Sequence, residues 1–129
     1  MRLLLWVALP IIACVSNAQA QQTKTALQLK KECEAAEQLI ATVATQPVPQ
    51  LVITDGVSCF GNLRGYLEAV TYLQAVRDAK PIYCGEKTRD FRQLAATYVK
   101  YVNAHPEGVD STAANTVANV IAEIAPCKQ

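Results

Sequence analysis

Residues 25–45 read TALQLKKECEAAEQLIATVAT, a stretch in which apolar side chains recur at steps of three and four. Charged and amide side chains fill most positions between the apolar residues, which are Ala26, Leu29, Cys33, Ala36, Ile40 and Val43. This period predicts one amphipathic helix that buries a single face. Pro47 and Pro49 follow, and since neither can continue a helix interior, we expect the helix to end before them.

A second helix is predicted beyond the two prolines, with Ser58 as its N-cap. Its buried side is expected to consist of apolar residues at helical spacing, namely Phe60, Leu63, Leu67, Val70 and Leu73, with Tyr66 and Val76 as further candidates. Residues 51–56 could form a strand, but one strand without a partner makes no sheet, so we expect a loop there that crosses a helix surface. Gly61 and Gly65 are expected where another backbone passes close to this helix.

Two more helices are predicted before Pro126-Cys127. The first has Thr88 as its N-cap and ends at His105-Pro106, and the second begins at Asp110 or Ser111. Short connections between helices favour antiparallel neighbours in an up-and-down order. The predicted fold is therefore all-α, a small antiparallel helical bundle of about four helices stapled by two disulfides.

The first twenty residues have the three-part shape of a secretory signal peptide. Arg2 precedes an apolar run from Leu3 to Ala13, and Ala18-Gln19-Ala20 provides a cleavage site of small residues. We therefore expect residues 1–20 to be a signal peptide and residues 21–129 to be a single helical domain in the periplasm. Cys14 ends a sequence similar to a lipobox, which leaves a lipoprotein as the alternative.

The charge balance argues against nucleic acid as a partner. Without Arg2, the basic and the acidic residues number eleven each, so the predicted domain has no basic field for a polyanion. After the leader, no second apolar stretch is long enough to span a bilayer. We expect no integral membrane segment once the signal peptide is removed.

Four cysteines remain in the predicted domain, an even number that favours two disulfides in an oxidising compartment. They are Cys33, Cys59, Cys84 and Cys127. A zinc site is the alternative, but it would favour close Cys-x-x-Cys pairs, and the separations here are 26, 25 and 43 positions. We therefore expect no metal and no other cofactor.

The predicted topology also selects a pairing. In an up-and-down bundle, the connection between the second and third helices lies at the end where the fourth helix finishes. Cys84 lies in that connection and Cys127 at that finish, so we expect a bond between them. Cys33 then pairs with Cys59, which requires the loop at 46–57 to return partway along the first helix.

The sequence offers little for catalysis. Cys59 with His105, oriented by Asp55 or Asp110, could form a nucleophile and base, but thiolate chemistry requires a free sulfur. His105, directly before Pro106, is more typical of a residue that caps carbonyls at a helix end. We expect no catalytic residues and a protein that is not an enzyme.

One set of motifs in fixed order carries more information than any single residue. It consists of Cys-Phe-Gly-Asn-Leu-Arg-Gly-Tyr-Leu at 59–67, Cys84, Gln93-Leu94, Tyr98 to Val102, His105-Pro106-Glu107 and Ala125-Pro126-Cys127. In this order and spacing, residues 59–127 resemble the Rap/Tai family of type VI secretion immunity proteins. The resemblance implies a periplasmic, all-helical homodimer that binds a peptidoglycan amidase effector and blocks its active-site cleft.

Two polar connections are the candidate contact segments for such a partner, because a rigid helical scaffold can insert a loop into a cleft. The candidate partner-binding residues in them are Tyr83, Glu86, Lys87, His105, Glu107 and Asp110. The rival interpretation is a general periplasmic binding or chaperone-like protein without a dedicated toxin. Such a protein would require exposed apolar surface, and a single histidine gives it little response to pH near neutrality.

Overall fold

A computed structural model of the chain describes residues 23–42, 46–76, 81, 83–84 and 90–127. Over these residues it has four α-helices, α1 (Ala26–Thr42), α2 (Gln50–Val76), α3 (Phe91–Ala104) and α4 (Ala113–Ile124), with a short 3-10 turn at Pro106–Gly108. The all-α prediction with about four helices is confirmed. The predicted signal peptide, with Cys14 in it, lies outside the described residues.

The start of α1 is fixed by a reciprocal pair of hydrogen bonds. The Thr25 hydroxyl accepts from the Gln28 backbone N–H at 3.2 Å, and the Gln28 side-chain oxygen accepts from the Thr25 backbone N–H at 2.8 Å. This capping box satisfies two backbone donors that the helix cannot satisfy itself. The helix therefore begins where the apolar period predicts.

The caps of α3 and α4 differ from the predicted ones. Asp90 caps α3, where its Oδ1 accepts from the backbone N–H groups of Arg92 and Gln93 at 3.0 and 3.3 Å. The predicted cap, Thr88, lies outside the described residues. Thr112 caps α4 through Asn115 N–H, one or two residues after the predicted positions. An N-cap stands two or three residues before the backbone N–H that it satisfies. Asp90 and Thr112 have this spacing to the N–H groups that they cap.

The largest difference concerns α2, which begins eight residues before the predicted cap at Ser58. Pro49 directly precedes the helix, a place where a missing backbone N–H costs nothing, and its carbonyl accepts from Ile53 N–H at 3.2 Å. The expected loop at 51–56 is therefore wrong. Ser58 donates its hydroxyl to Glu32 of α1 at 3.1 Å instead of capping a helix.

The first part of α2 packs closely on α1. A Cβ atom at Gly56 would lie 3.1 Å from the Ala36 Cα and 3.2 Å from Leu39 Cδ2, so the two backbones nearly touch there. The same role expected of Gly61 and Gly65 is wrong, since a Cβ at either position would meet no atom within 4 Å. A side chain at position 56 would require its neighbours on α1 to shift slightly, whereas there is open space at positions 61 and 65.

Paired contacts give the helix directions. Ala36 meets Gly56 and Cys33 meets Cys59, so contacts advance along α2 as they recede along α1, and the two helices are antiparallel. The start of α3 shares a pocket with Phe60, and farther along α3 the Tyr98 hydroxyl donates to the Ala26 carbonyl at 3.2 Å. Helix α3 is therefore antiparallel to α1 as well. It follows that α2 and α3 run in the same direction, which differs from the predicted up-and-down order.

The core lies where α1 meets the other three helices. Its largest fully buried side chains are Tyr98, Leu29, Leu63, Leu94, Ile121, Val117 and Val120. Leu73 and Val76 were expected inside but are 46% and 56% exposed, because α2 extends beyond the beginning of α1. Among the described residues, none of the helices combines the length and apolarity required to cross a bilayer.

Both predicted disulfides are present, Cys33–Cys59 and Cys84–Cys127. The first joins α1 directly to α2 and is fully buried, so no returning loop is required. The second ties the segment before α3 to the chain after α4, where the Cys84 backbone N–H also donates to the Ala125 carbonyl at 2.8 Å. All four sulfurs are thus bonded in pairs, which removes them as zinc ligands and removes Cys59 as a nucleophile.

Candidate functional site

The segment between α3 and α4 folds into consecutive tight turns. The His105 backbone N–H donates to the carbonyls of Tyr101 and Val102 at 3.0 and 3.3 Å and so ends α3, as the sequence predicts for this position. Gly108 N–H then donates to the His105 carbonyl, and Ser111 N–H donates to the Gly108 carbonyl, both at 3.0 Å. We call residues 105–111 the His-Pro-Glu turn.

Backbone hydrogen bonds to the beginning of α1 hold this turn in place. The Ser111 carbonyl accepts from Ala26 N–H at 2.8 Å, and the Val109 carbonyl accepts from Leu27 N–H at 3.1 Å. Just beyond the turn, Ala113 N–H donates to the Lys24 carbonyl at 2.9 Å. The turn therefore has a defined backbone conformation, with His105, Glu107 and Asp110 exposed to solvent and Val109 partly buried against the core.

His105 and Glu107 interact on the outer side of the turn. The His105 Nδ1 lies 3.1 Å from Glu107 Oε1, and the imidazole packs on the Tyr101 ring with 4.4 Å between centroids. A hydrogen bond from its own backbone N–H, and then the one from His105, hold the pKa of the Glu107 carboxyl below its usual range. The turn thus presents an ionised, solvent-exposed carboxylate near neutral pH.

A pocket with a volume of about 220 Å³ lies beneath the turn. Its lining combines the turn with the facing sides of α3 and α4, and consists of Tyr101, Val102, His105, Glu107, Gly108, Ser111, Thr116 and Asn119. Thr116 is only 5% exposed, and its hydroxyl lies 2.9 Å from the Ser111 hydroxyl. Six of these eight residues carry a polar side-chain group, so the pocket offers hydrogen-bond partners to a guest group.

The structure brings some of the candidate partner-binding residues together and separates others. His105 and Glu107 line the pocket, and Asp110 is exposed on the same turn. Tyr83 is half-buried, does not line the pocket, and its hydroxyl contacts the Thr71 hydroxyl of α2. The predicted positions Glu86 and Lys87 lie outside the described residues.

Sequence reasoning missed the floor of this pocket. Thr116 is a polar residue on the buried side of α4, between Ala113 and Val120, and that irregularity in an apolar stripe is the signal that could have identified it. Tyr101 lies one helical turn before His105, so the period of α3 places the two rings on one face. The contribution of Asn119 had no comparable signal.

Catalytic and metal-binding alternatives gain nothing from this geometry. Cys59 is buried in a disulfide, so it has no free thiolate for His105 to activate. Within the described ranges, no group of three or more His, Cys, Asp or Glu side chains is placed to hold a metal ion. What the site offers is a rigid, exposed turn above a polar pocket, an arrangement typical of binding.

A family model described as Rap1a immunity proteins matches residues 25–127, which include all four helices and all four bonded cysteines. No curated protein and no solved structure is significantly similar to the chain. The matched region covers most of the sequence and includes the His-Pro-Glu turn with its pocket. The chain therefore belongs to the Rap1a immunity protein family.

Proposed function

We propose that this protein is a periplasmic immunity protein that binds a type VI secretion peptidoglycan amidase effector and inhibits it by occluding its active site. The observation that carries the proposal is the family match over residues 25–127. An immunity family implies a non-enzymatic inhibitor. The amidase as target and the occlusion of its cleft are the specific parts of the proposal.

The rigid His-Pro-Glu turn supports inhibition by insertion. The side chains of His105, Glu107 and Asp110 are exposed, whereas the backbone between them is fixed by hydrogen bonds to α1. A segment that is already ordered loses little conformational entropy when it binds, which favours affinity. We propose Tyr83, Glu86 and Lys87 as a second contact segment, of which Tyr83 directly precedes Cys84 of the Cys84–Cys127 disulfide.

Two disulfides support a periplasmic location, because such bonds persist in oxidising compartments. We propose that residues 1–20 direct export and are removed after Ala20, which leaves residues 21–129 as the working domain. Lipidation at Cys14 is the alternative route to the same compartment.

Inhibition is tested with the purified protein, both disulfides formed, and its cognate peptidoglycan amidase. We expect peptidoglycan hydrolysis to fall in proportion to added protein and to stop near a fixed stoichiometry. Asp110→Arg should weaken inhibition about tenfold, since a reversed charge at an interface is unfavourable. Glu37→Arg, an exposed change on α1 away from the turn, is the matched control. Hydrolysis that continues at full rate with a large excess of protein would contradict the proposal.

The outer face of α2 supports the homodimer that is part of this proposal. Five exposed residues at helical spacing lie along it, Val57, Gly61, Gly65, Tyr72 and Val76. The two glycines leave room above the helix for a second backbone to approach. Exposed apolar side chains around such a gap favour contact with another copy of the chain.

Gly61→Gln with Gly65→Gln is expected to convert the dimer to a monomer at micromolar concentration, because long polar side chains would fill the gap on α2. The folded subunit should tolerate both changes, since a Cβ atom at either position would have no other atom within 4 Å. Ala96→Gln, at an exposed position of α3, is the matched control. Sedimentation velocity reports the molecular mass, and a wild-type protein that sediments as a monomer at all concentrations would refute the dimer.

Exposed apolar residues of α2 are also the observation that favours the chaperone-like interpretation. Leu51, Tyr72 and Leu73 of α2 are 70%, 66% and 46% exposed, which gives the apolar surface that client binding requires. The two functions differ in partner. Suppression of client aggregation without any amidase inhibition would favour the chaperone, and amidase inhibition without client protection would favour immunity.

A further inference from the structure

The pocket beneath the His-Pro-Glu turn offers hydrogen-bond acceptors more than donors. The Ser111 hydroxyl donates its proton to the Gly108 carbonyl at 2.6 Å, and the Thr116 hydroxyl donates its proton either to the Ser111 hydroxyl oxygen at 2.9 Å or to the Thr112 carbonyl at 3.3 Å. A hydroxyl has a single proton, so each of these oxygens has only lone pairs left for a guest. The floor of the pocket can therefore accept hydrogen bonds from a guest but cannot donate them.

The rim of the pocket also offers mainly hydrogen-bond acceptors. Glu107 contributes an ionised carboxylate, of which only Oε1 lies against His105. When His105 donates from Nδ1 to that oxygen, the neutral imidazole keeps a lone pair on Nε2. Asn119 can donate as well as accept, so it matches either kind of guest.

An aromatic face completes the site. The Tyr101 ring lines the pocket and stacks on His105 with an angle of 35° between the two planes. A ring face attracts a cation through its quadrupole, and the attraction grows as the cation is desolvated. Within the pocket lining, no lysine or arginine supplies that cation.

We propose that this pocket binds a basic side chain of the partner, an arginine, whose guanidinium meets Glu107 at the rim and the Ser111 and Thr116 hydroxyls at the floor. The partner is the effector named in the proposed function, and in that respect this inference rests on it. A guanidinium has five N–H donors and no acceptor, so it complements a pocket of acceptors.

Other guests fit less well. An anion would meet the Glu107 carboxylate, and an apolar side chain would leave the lone pairs of Ser111 and Thr116 without partners. The volume of about 220 Å³ suits one long side chain and not a folded segment. Arginine is also a residue type that concentrates binding energy at protein interfaces.

The pocket is tested without the effector by titrating the protein with N-acetyl-arginine methylamide while its histidine and tyrosine NMR signals are recorded. We expect the signals of His105 and Tyr101 to shift in a saturable way. N-acetyl-citrulline methylamide has nearly the same shape without the charge, and it should bind at least tenfold more weakly. Equal binding of the two probes, or no shift with arginine, would overturn the proposal.

The second arm measures affinity for the cognate amidase. Glu107→Gln should raise Kd about tenfold, and because Glu107 is exposed the fold should not change. Thr116→Val should weaken binding to a similar extent, whereas Thr116→Ser, which keeps the hydroxyl, should bind as the wild type does. Glu37→Gln on α1 is the control.

If the wild-type protein binds amidase and Glu107→Gln binds equally well, the pocket proposal fails and the proposed function stands. If arginine binds but amidase does not, the proposed function fails alone.

Discussion

Replacement of Cys33 and Cys59 together by alanine is expected to lower the free energy of unfolding by about 4 kcal/mol. The bridge closes a loop with a sequence separation of 26 residues, for which the chain-entropy model gives about 3.5 kcal/mol. Both side chains are fully buried between α1 and α2, so packing is lost in addition. A single domain is commonly stable by only about 5 to 15 kcal/mol, so much of the total depends on this bond.

Equilibrium unfolding in urea without reductant measures this loss. Cys84→Ala with Cys127→Ala is the comparison, because that bridge has a separation of 43 residues and a more exposed position. The same model gives about 4 kcal/mol for it, without the packing contribution. A loss below about 1 kcal/mol for the Cys33 and Cys59 variant would contradict the expected contribution of this bond to stability.

Tyr98→Ala is expected to cost about 3 to 5 kcal/mol, as is usual for removal of a buried aromatic ring. Tyr98 is the largest fully buried side chain, and its hydroxyl donates to the Ala26 carbonyl of α1. Tyr98→Phe keeps the ring and should lose about 1 to 2 kcal/mol, because the carbonyl is left without this partner. Thermal unfolding of both variants separates the contribution of the ring to stability from that of the hydroxyl. Equal losses of stability in the two variants would show that the ring contributes nothing.

The same residue predicts an alkaline limit of stability. Burial raises the pKa of Tyr98, so the folded state favours the neutral phenol, whereas an unfolded tyrosine ionises near pH 10. The contribution of the neutral Tyr98 phenol to the free energy of unfolding is therefore complete below about pH 10. It is lost progressively as the pH rises above that value. Unfolding followed between pH 8 and 11, approximate limits set by that pKa, should show a shallower decline in Tyr98→Phe than in the wild type. Identical slopes would refute the effect of burial.

Local sequence rules predicted the helices well, and they failed where tertiary contact decides. The apolar period gave α1, and proline after α1 correctly predicted its end before residue 46. The β-branched Val52 and Ile53 after the same prolines favour a strand, and because a strand without a partner makes no sheet, a loop is expected from the sequence. The helix that forms there packs closely on α1, where Gly56 approaches Ala36, a contact between residues 20 positions apart that propensity does not contain.

For the candidate site, too, the sequence predicts the local motif but not the contacts between distant segments. His105 and Glu107 were identified because their motif is continuous in the sequence, and the structure places both at one pocket. The rigidity of the turn depends on hydrogen bonds from Ala26 and Leu27, more than eighty positions earlier in the chain. The direction of α3 depends on packing against α1, and short connections alone gave it incorrectly. Contacts of this range follow from the whole fold and not from any one segment.

The order in which the cysteines are joined has a consequence for how the protein matures. The four cysteines that follow Cys14 can pair in three ways, and here Cys33 is bonded to Cys59 and Cys84 to Cys127, so that consecutive cysteines are joined. If the thiols are oxidised in chain order during the export proposed above, this pattern forms directly. Reshuffling of wrong bonds takes seconds to hours, and a chain with consecutive pairs has no need of it. Under the proposed export, the protein is therefore expected to acquire its native bonds without help from a disulfide isomerase.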